Sequence, residues 1–305
     1  MEQSSPSSND KLPLAGLRVV ALEQAVAAPF CSRQLADMGA DVVKVERPDG
    51  GDFARSYDGA LNGLSAYFAW LNRGKRSLTL DVKSEAGQVV MEKLLEIADV
   101  FIHNLAPGAV ERLGWGYEKI KKKFPRLVWV GISGYGPDGP YREKKAYDML
   151  IQAEASVVNI TGTPEASAKV GISIADIAAG LYGYASILTA LLNRDKTGRG
   201  ERINISMFEC MTEWMMPPIY VLERPRCALG YGAVPKEGSP SSKREKFLVL
   251  TEFMVMAKMR HDWLKVHYEI SQYASTRVYQ NKGQHYKSTE TYSIANYDGK
   301  VSRDS

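Results

Sequence analysis

Short apolar segments alternate with helix-like segments between residue 17 and about residue 208, and this alternation limits the possible folds more than any other feature of the sequence. The segments that we interpret as strands cover residues 17–22, 41–46, 100–103, 127–132 and 203–206. The helices predicted between them cover 29–38, 85–97 and 107–113. Strands that alternate with helices are typical of a parallel sheet covered by helices. We therefore predict an α/β fold with an open, doubly wound, Rossmann-like parallel sheet.

The residues at the ends of two of these helices are types that stabilise helix termini. Ser84 precedes the helix over 85–97, and its hydroxyl can accept a hydrogen bond from a free backbone N–H of the first turn. Gly39 follows the helix over 29–38 and can adopt the left-handed conformation that ends many helices. The first strand, this helix and the second strand thus form a βαβ unit.

The composition is that of a globular chain, but its character changes near residue 222. Of 305 residues, 45% are hydrophobic and 24% are charged, which supplies enough apolar material for a sizeable core. We predict a flexible leader over residues 1–12 and a large α/β domain over 13–222. Residues 223–305 are rich in Lys, Ser, Tyr, His and Thr and have few apolar runs, so we expect an atypical C-terminal region that is partly disordered or the remnant of a small domain.

Charge and cysteine content exclude several functional classes. The 39 Lys and Arg residues nearly balance 35 Asp and Glu residues, and a net charge of +4 argues against nucleic-acid binding. Three cysteines, Cys31, Cys210 and Cys227, indicate reduced thiols rather than a disulfide framework. The histidines show no zinc-binding spacing, so no metal site is predicted. No apolar run reaches the roughly 20 residues needed to span a bilayer, and we expect a cytoplasmic protein, with mitochondrial or peroxisomal location left open.

Two glycine motifs after the strand at 127–132 resemble known sites but lack their context. Residues 134–139 match G-x-G-x-x-G, yet Pro137 and Pro140 disturb the turn into a helix that a dinucleotide site needs. Residues 131–135 resemble the nucleophile elbow of serine hydrolases, with Tyr135 in place of the second glycine. Neither function is favoured.

Asp176 is the strongest candidate for chemistry. It falls in the first turn of a predicted helix that begins after Ser173, where free N–H groups and the helix dipole favour a carboxylate. Gly180 and Gly183 lie on the same helical face, and each costs about 1 kcal/mol relative to alanine, so something must approach closely there. The predicted core-facing side of this helix consists instead of large apolar residues, namely Leu181, Tyr184, Ile187, Leu188 and Leu191. A first-turn carboxylate beside a strip without side chains can act as a nucleophile toward an acyl group.

A series of short motifs, taken in order, resembles the class III coenzyme A transferases. This family, of the CaiB/BaiF type, includes formyl-CoA transferase, carnitine-CoA transferase and α-methylacyl-CoA racemase relatives. The motifs run from residue 14 to 200, and they are LAGLRVV at 14–20, AAPFC at 27–31, GADVVKVERP at 39–48, NRGKRS at 72–77, NLAPG at 104–108, GYGP at 134–137, YD at 147–148 and TGRG at 197–200.

The resemblance implies a covalent reaction at Asp176. In the family an aspartate at this position attacks the donor thioester to form a mixed anhydride, the CoA thiolate then gives an aspartyl-CoA thioester, and the acceptor carboxylate completes the exchange. CoA is thus a substrate, and no permanently bound cofactor is expected. The positions that match the family's CoA-binding residues are Val26, Ala27, Arg47, Asn72, Lys75, Asn104, Leu105, Arg112 and Tyr135. The resemblance also implies a homodimer, while the composition and the short apolar runs predict no nucleic-acid or membrane partner.

The resemblance leaves the substrate and two alternatives open. Residues 23–31 and 51–55 are similar to members that handle short dicarboxylates, so we expect transfer from a donor such as succinyl-CoA to an acid such as itaconate or mesaconate, with Arg55 or Arg73 on the distal carboxylate. A 2-methylacyl-CoA racemase would use a histidine where Tyr147 stands, which favours the transferase. Residues after about 225 resemble nothing in the family, and they stand, in truncated form, where the family has a small domain. The other alternative is therefore a catalytically inactive CoA-binding remnant.

Overall fold

The structure of the protein, a computed structural model, describes residues 12–163 and 166–223. Six parallel strands form one sheet in the order β3-β2-β1-β4-β5-β6, and the strands are β1 (Arg18–Leu22), β2 (Asp41–Glu46), β3 (Arg76–Thr79), β4 (Val100–His103), β5 (Val128–Ser133) and β6 (Arg202–Ser206). This is the strand order of a doubly wound, Rossmann-like sheet, so the predicted α/β fold is confirmed. The predicted leader and the predicted C-terminal region, apart from Leu12 and Glu223, lie outside the described residues.

Helices connect the strands and cover the sheet. They are α1 (Ala27–Asp37), α2 (Ala66–Asn72), α3 (Glu85–Ile97), α4 (Ala109–Arg112), α5 (Tyr117–Lys123), α6 (Asp148–Glu154), α7 (Val157–Ile160), α8 (Ile174–Thr197) and α9 (Met207–Glu223), with a short 3-10 helix at Phe53–Ser56. The helix at α3 has the predicted bounds, and the Ser84 hydroxyl accepts a hydrogen bond from the Gly87 N–H at 3.0 Å. Gly39 adopts a φ of 100° directly after α1, as expected for a left-handed helix end.

Strand β3 was missed by the sequence pattern because it lies at the edge of the sheet. Its four residues, Arg76–Thr79, are exposed or half-buried, whereas every residue of β4 is buried. An edge strand pairs on one side only and does not need the continuous apolar run that identifies a central parallel strand. The fold therefore has one more strand than the sequence predicted.

Helix α8 crosses the sheet next to α1, and it differs from its prediction in two ways. Its buried face consists of six small residues and two large ones, Ile187 and Arg194; the small residues are Ala175, Ala178, Ala179, Gly180, Gly183 and Ala190. Of the predicted apolar face only Ile187 is fully buried, and Leu181 is exposed. Among the described helices, only α8 has the length and apolar composition of a membrane-spanning helix. Its packing against α1 and β5 also explains this composition.

The sheet changes direction between β1 and β4, and the loops that leave these two strands meet there. The Asn104 side chain, after β4, accepts a hydrogen bond from the Gln24 N–H at 3.0 Å and donates one to the Gln24 carbonyl at 2.7 Å. Ala25 follows with a φ of 65°, which is uncommon for a residue with a Cβ. In doubly wound folds the crevice outside this switch point is the usual place for a ligand.

Candidate active site

Asp176 lies in the first turn of α8, as predicted, and the start of α1 packs against it. The backbone N–H of Ala27 donates a hydrogen bond to its carboxylate. Burial and then the neighbouring Asp148 carboxylate raise the pKa of Asp176 from 3.8 to about 7, while the Ala27 N–H acts in the opposite direction. A carboxyl with a pKa near 7 exists in both protonation states at neutral pH, which is typical of residues with a chemical role.

Asp148, and not Ser173, supplies the cap of α8. Ser173 occupies the N-cap position, so the predicted start of the helix is confirmed, but its side chain makes no capping hydrogen bond. Instead one carboxylate oxygen of Asp148 accepts from the Ala175 N–H at 2.8 Å and from the Asp176 N–H at 3.4 Å. Asp148 begins α6, so it joins two helices and fixes the first turn that carries Asp176. A cap from 27 residues away in the chain leaves no local signal in the sequence.

The glycines of α8 serve helix packing rather than an approaching acyl group. A Cβ on Gly180 would lie 2.8 Å from the Ala27 carbonyl oxygen and 2.8 Å from Cδ1 of Phe30. A Cβ on Gly183 would lie 3.1 Å from Sγ of Cys31. Helix α1 is therefore what packs closely against Gly180 and Gly183. The prediction that these glycines leave room for an acyl group was wrong. This close packing brings the Ala27 N–H within reach of Asp176.

Replacing Gly180 with alanine tests this packing. We expect Gly180→Ala to lower the free energy of unfolding by about 1–3 kcal/mol, because the added methyl group meets the α1 backbone and overpacks the contact. This loss should outweigh the gain of about 1 kcal/mol in helix propensity. Urea unfolding measures the change. Gly183→Ala should cause a smaller loss of stability, because its new methyl group meets a side chain rather than backbone. A Gly180→Ala variant more stable than the wild type would contradict the close contact.

Tyr57 lies close enough to Asp176 to interact with its charge, and the sequence interpretation assigned it no role. Burial, followed by the charges of Asp52 and Asp176 and by Tyr147, raises the pKa of Tyr57 to about 12. Tyr57 is 46% exposed and Tyr147 is 66% exposed. The Tyr57 ring also contacts the Tyr67 ring edge to face and the Phe53 ring in a tilted arrangement. Tyr57 thus presents an exposed aromatic ring near Asp176.

Three of the predicted CoA-binding residues line one cavity at the carboxyl ends of the strands. The cavity has a volume of about 520 Å³, and Arg47, Leu105 and Arg112 contribute to its wall. Lys83 adds a third cation that the sequence interpretation missed. The acidic groups in the same wall are already paired: Glu46 binds Arg55, and Lys44 binds Asp52 and Glu23. The side chains free to meet an anion are therefore basic, while Leu22, Val45 and Leu80 provide an apolar wall.

Lys75 and Asn72 do not reach this cavity. The Lys75 side chain is 2% exposed, and its ammonium donates hydrogen bonds to Glu23 at 2.7 Å, to the Pro29 carbonyl at 2.9 Å and to the Asn72 side chain at 3.1 Å. Burial lowers the pKa of Lys75 to about 8, although Glu23 opposes the shift. With its three donors engaged, Lys75 stabilises a buried ion cluster in this structure, and its predicted CoA contact would require these bonds to break.

The remaining predicted residues do not line this cavity either. Val26 and Ala27 form the start of α1, beside Asp176. The Asn104 amide is occupied by both backbone groups of Gln24. Tyr135 is 6% exposed, and burial followed by the neighbouring Glu154 raises its pKa. The contact of these four residues with CoA stays a prediction.

Arg55 and Arg73, the predicted ligands of a distal carboxylate, are both engaged inside the protein. Arg55 forms two hydrogen bonds of 2.8 Å with Glu46, and its guanidinium lies 3.8 Å from the centre of the Phe68 ring. Arg73 binds Asp37 through two nitrogens, at 3.0 and 2.8 Å. Bidentate pairs of this kind are strong and leave little capacity for a second carboxylate. Neither arginine is free for the substrate in this structure.

The G-x-G-x-x-G segment forms no dinucleotide site. Residues 134–147 after β5 form turns and loop rather than the start of a helix, which begins only at Asp148. A Cβ on Gly134 would lie 2.1 Å from Cβ of Ala146, so this glycine permits close packing of the loop on itself. The sequence argument against a nicotinamide cofactor is consistent with this geometry.

Sequence comparison places the chain among proteins with CoA-transferase names. It is 39% identical over 217 residues to an acyl-CoA transferase from Fusarium pseudograminearum, covering 68% of this chain and 47% of that protein. It is 37% identical over 210 residues to succinate–glutarate CoA-transferase from Agrobacterium fabrum, covering 66% and 52%. Other relatives are named for glutarate, oxalate or malate as acid partners. The chain spans about half the length of the curated relatives it matches.

The solved structures agree with this result. A crystal structure of a CAIB/BAIF family protein from Brucella suis matches with a TM-score of 0.67 and 37% identity, covering 70% of this chain and 58% of that one. The family model for CoA-transferase family III matches residues 14–239, which include β1, the cavity and Asp176. Together with the confirmed fold, this match shows that the chain belongs to CoA-transferase family III.

Proposed function

We propose that this protein moves coenzyme A from an acyl-CoA donor to a free carboxylic acid, with Asp176 as the nucleophile. The main support for the proposal is the buried Asp176 carboxyl, whose pKa is near 7. This carboxyl accepts a hydrogen bond from the Ala27 N–H. Names of relatives at 36–40% identity support the reaction class. Because the chain spans about half of those relatives, the activity of this chain is itself the subject of the test.

The proposed reaction is a sequence of balanced acyl transfers. The Asp176 carboxylate attacks the donor thioester carbonyl, the C–S bond breaks, and a mixed anhydride and CoA thiolate result. The thiolate attacks the aspartyl carbonyl of the anhydride, which releases the donor acid and leaves an aspartyl-CoA thioester. The acceptor carboxylate attacks this thioester, and the thiolate finally attacks the acceptor carbonyl to give the new acyl-CoA and free Asp176. Retaining the thiolate in the site gives it a high effective concentration, and burial protects the anhydride from water.

The substrate class that we propose is a short dicarboxylic acid and its CoA ester, with succinyl-CoA as donor. Succinate, glutarate, oxalate and malate occur in the names of relatives, and itaconate or mesaconate extends this series. Arg55 and Arg73 are engaged with Glu46 and Asp37, so a distal carboxylate needs other partners. The exposed Tyr57 ring near Asp176 suits the chain between the two carboxylates.

An isotope experiment tests both the reaction and its route. The protein is incubated with succinyl-CoA and a panel of acids, including itaconate and mesaconate, and the products are identified by mass spectrometry. With an acceptor labelled by 18O in its carboxylate, one labelled oxygen should pass to the side chain of Asp176 during turnover. Transfer without label in the peptide that contains Asp176 would contradict the proposed nucleophile.

Racemisation and loss of activity are the alternatives that the experiment separates. Tyr147 stands where a racemase would need a base, and a tyrosine hydroxyl ordinarily titrates near pH 10, so we favour the transferase. Exchange of the α-proton of a 2-methylacyl-CoA for deuterium would support a racemase. CoA binding without product or label would support an inactive remnant. We further propose a cytoplasmic homodimer, which sedimentation and fractionation test.

Binding of the CoA nucleotide in the cavity predicts a loss of affinity in two variants. Arg47→Gln and Arg112→Gln should each raise KM for the CoA ester about 10-fold and leave kcat within about 3-fold, because a charge-assisted hydrogen bond contributes about 1.5–3 kcal/mol. Arg76→Gln is the matched control, since Arg76 pairs with Asp41 at the opposite end of the strands. Steady-state kinetics with CoA and dephospho-CoA esters identify the arginine that binds the ribose phosphate. An unchanged KM in both variants would place the nucleotide elsewhere.

A further inference from the structure

Ala25 adopts a backbone conformation that needs external support. Its φ of 65° lies in the left-handed region, which costs an L-residue with a Cβ about 1–2 kcal/mol. Ala25 lies between β1 and α1, two residues before Ala27, whose N–H contacts Asp176. The conformation of Ala25 therefore decides where the chain enters α1 and where the Ala27 N–H points. Strained residues of this kind persist only where surrounding contacts hold them.

Asp52 is the side chain that holds Ala25. One of its carboxylate oxygens accepts hydrogen bonds from the Ala25 N–H at 3.0 Å and from the Ala54 N–H at 2.9 Å. The other oxygen accepts from the Lys44 ammonium at 2.8 Å, and both charged side chains are at most 2% exposed. Asp52 follows β2, so its position is set independently of the loop it holds. A buried, paired carboxylate can move only at high cost.

A second contact prevents the loop from relaxing in the other direction. The Asn104 side chain engages the N–H and the carbonyl of Gln24, the residue before Ala25. Gln24 and Ala25 are thus anchored from β4 on one side and from the turn after β2 on the other. Release of the Ala25 N–H would leave Asn104 as the pivot and allow Ala25 to return to a negative φ.

We propose that Asp52 is a positioning residue for the transfer reaction: by holding Ala25 in its left-handed conformation it aims the Ala27 N–H at the Asp176 carboxylate. The inference rests on the proposed function of Asp176. The Ala27 N–H is the hydrogen bond that favours the ionised carboxylate, whereas burial and Asp148 disfavour it. Among the described residues, Asp148 and Tyr57 are the other titratable groups that interact with Asp176, and the Ala25 N–H is bonded to Asp52 rather than to either of them.

The direction in which the pKa of Asp176 moves in an Asp52 variant distinguishes the positioning role from the loss of a nearby charge. Removing the negative charge of Asp52 would, by electrostatics alone, make Asp176 easier to ionise. Losing the Ala27 hydrogen bond makes it harder to ionise. We therefore expect Asp52→Ala to move the titration midpoint of Asp176 above about 7, the wild-type value, and to slow its acylation by an acyl-CoA about 10- to 100-fold.

The test combines two independent measurements on the full chain. Titration of the Asp176 carboxyl by 13C NMR of aspartate-labelled protein, assigned with Asp176→Asn, reports the midpoint without catalysis. Mass spectrometry of the peptide that contains Asp176 reports the acylation rate at each pH. Asp49→Ala, an exposed acid in the same turn, is the control and should change neither quantity. Asp52→Asn keeps an acceptor for Ala25 but removes the charge, so its midpoint should stay at or below the wild-type value.

A double variant tests whether Asp52 acts through Ala25. Glycine adopts a positive φ without steric cost, so Ala25→Gly in the Asp52→Ala background should restore acylation about 10-fold. A midpoint that stays the same or falls in Asp52→Ala would overturn the inference, as would an equal upward shift in Asp52→Asn or the absence of rescue by Ala25→Gly. A wild type that is not acylated, but whose midpoint still rises in Asp52→Ala, would overturn the proposed function and leave the positioning contact standing.

Discussion

Asp176→Asn is expected to abolish CoA transfer, with a loss of at least about 1,000-fold in kcat, because the proposed route has no step without this carboxylate. Acyl-CoA followed by hydroxylamine or borohydride should modify Asp176 in the wild type and no residue in the variant. The matched control is Asp195→Asn, since Asp195 is an exposed acid on the same helix. Turnover retained in Asp176→Asn, or modification of another residue, would reject the assignment.

The stability of the same variant shows whether its inactivity reflects misfolding. The pKa of Asp176 is 3.8 ordinarily and about 7 in the folded chain, so the unfolded chain releases this proton at lower pH than the folded one. The stability that the protonated group contributes is complete below about pH 4 and is lost as the pH rises to about 7. At pH 8 we therefore expect Asp176→Asn to resist urea better than the wild type, and the difference should shrink toward pH 4. A variant that is less stable at pH 8 would contradict the buried, unfavourable carboxylate.

Lys44→Met is expected to cause the largest loss of stability, about 3–5 kcal/mol, because breaking a buried ion pair leaves an uncompensated charge. Lys44 is 1% exposed and is the ammonium bound to Asp52, whereas Glu23 still has Lys75. Urea unfolding at pH 7 measures the loss. Arg76→Met, which breaks the exposed pair with Asp41, is the control and should cost no more than about 1 kcal/mol. Similar losses in the two variants would mean that the buried cluster contributes no special stability.

Two cationic positions show that a sequence motif does not determine where a long side chain points. The order of motifs assigned Arg47 and Lys75 alike to the CoA site. The structure places Arg47 in the wall of the cavity, but it places the Lys75 ammonium in a buried cluster with Glu23. A motif identifies a position in a family, whereas the direction of a long side chain depends on the strands and helices around it. Glu23 lies 52 residues away from Lys75, and no local pattern connects them.

Glycine in α8 illustrates the same limit. The sequence correctly indicated that Gly180 and Gly183 admit a close neighbour, because a glycine inside a helix costs stability without a compensating contact. It assigned the neighbour wrongly, since the Ala27 carbonyl and Phe30 of α1 fill the space. Helix-on-helix packing between distant segments is a property of the assembled fold. The cap of α8 by Asp148 was hidden for the same reason.

The sequence by itself determined the α/β class, the parallel strands of the central sheet, the family and the first-turn position of Asp176, because periodicity and short motifs are local properties of the chain. The edge strand β3, the buried cluster of Glu23, Lys44, Asp52 and Lys75, and the strained Ala25 were decided by tertiary structure. These features depend on contacts between residues far apart in the chain, and desolvation sets the energy of the buried cluster. The pKa of Asp176 is the clearest case: an ordinary carboxyl in the sequence becomes a group that titrates near 7 only after α1 and α6 close around it.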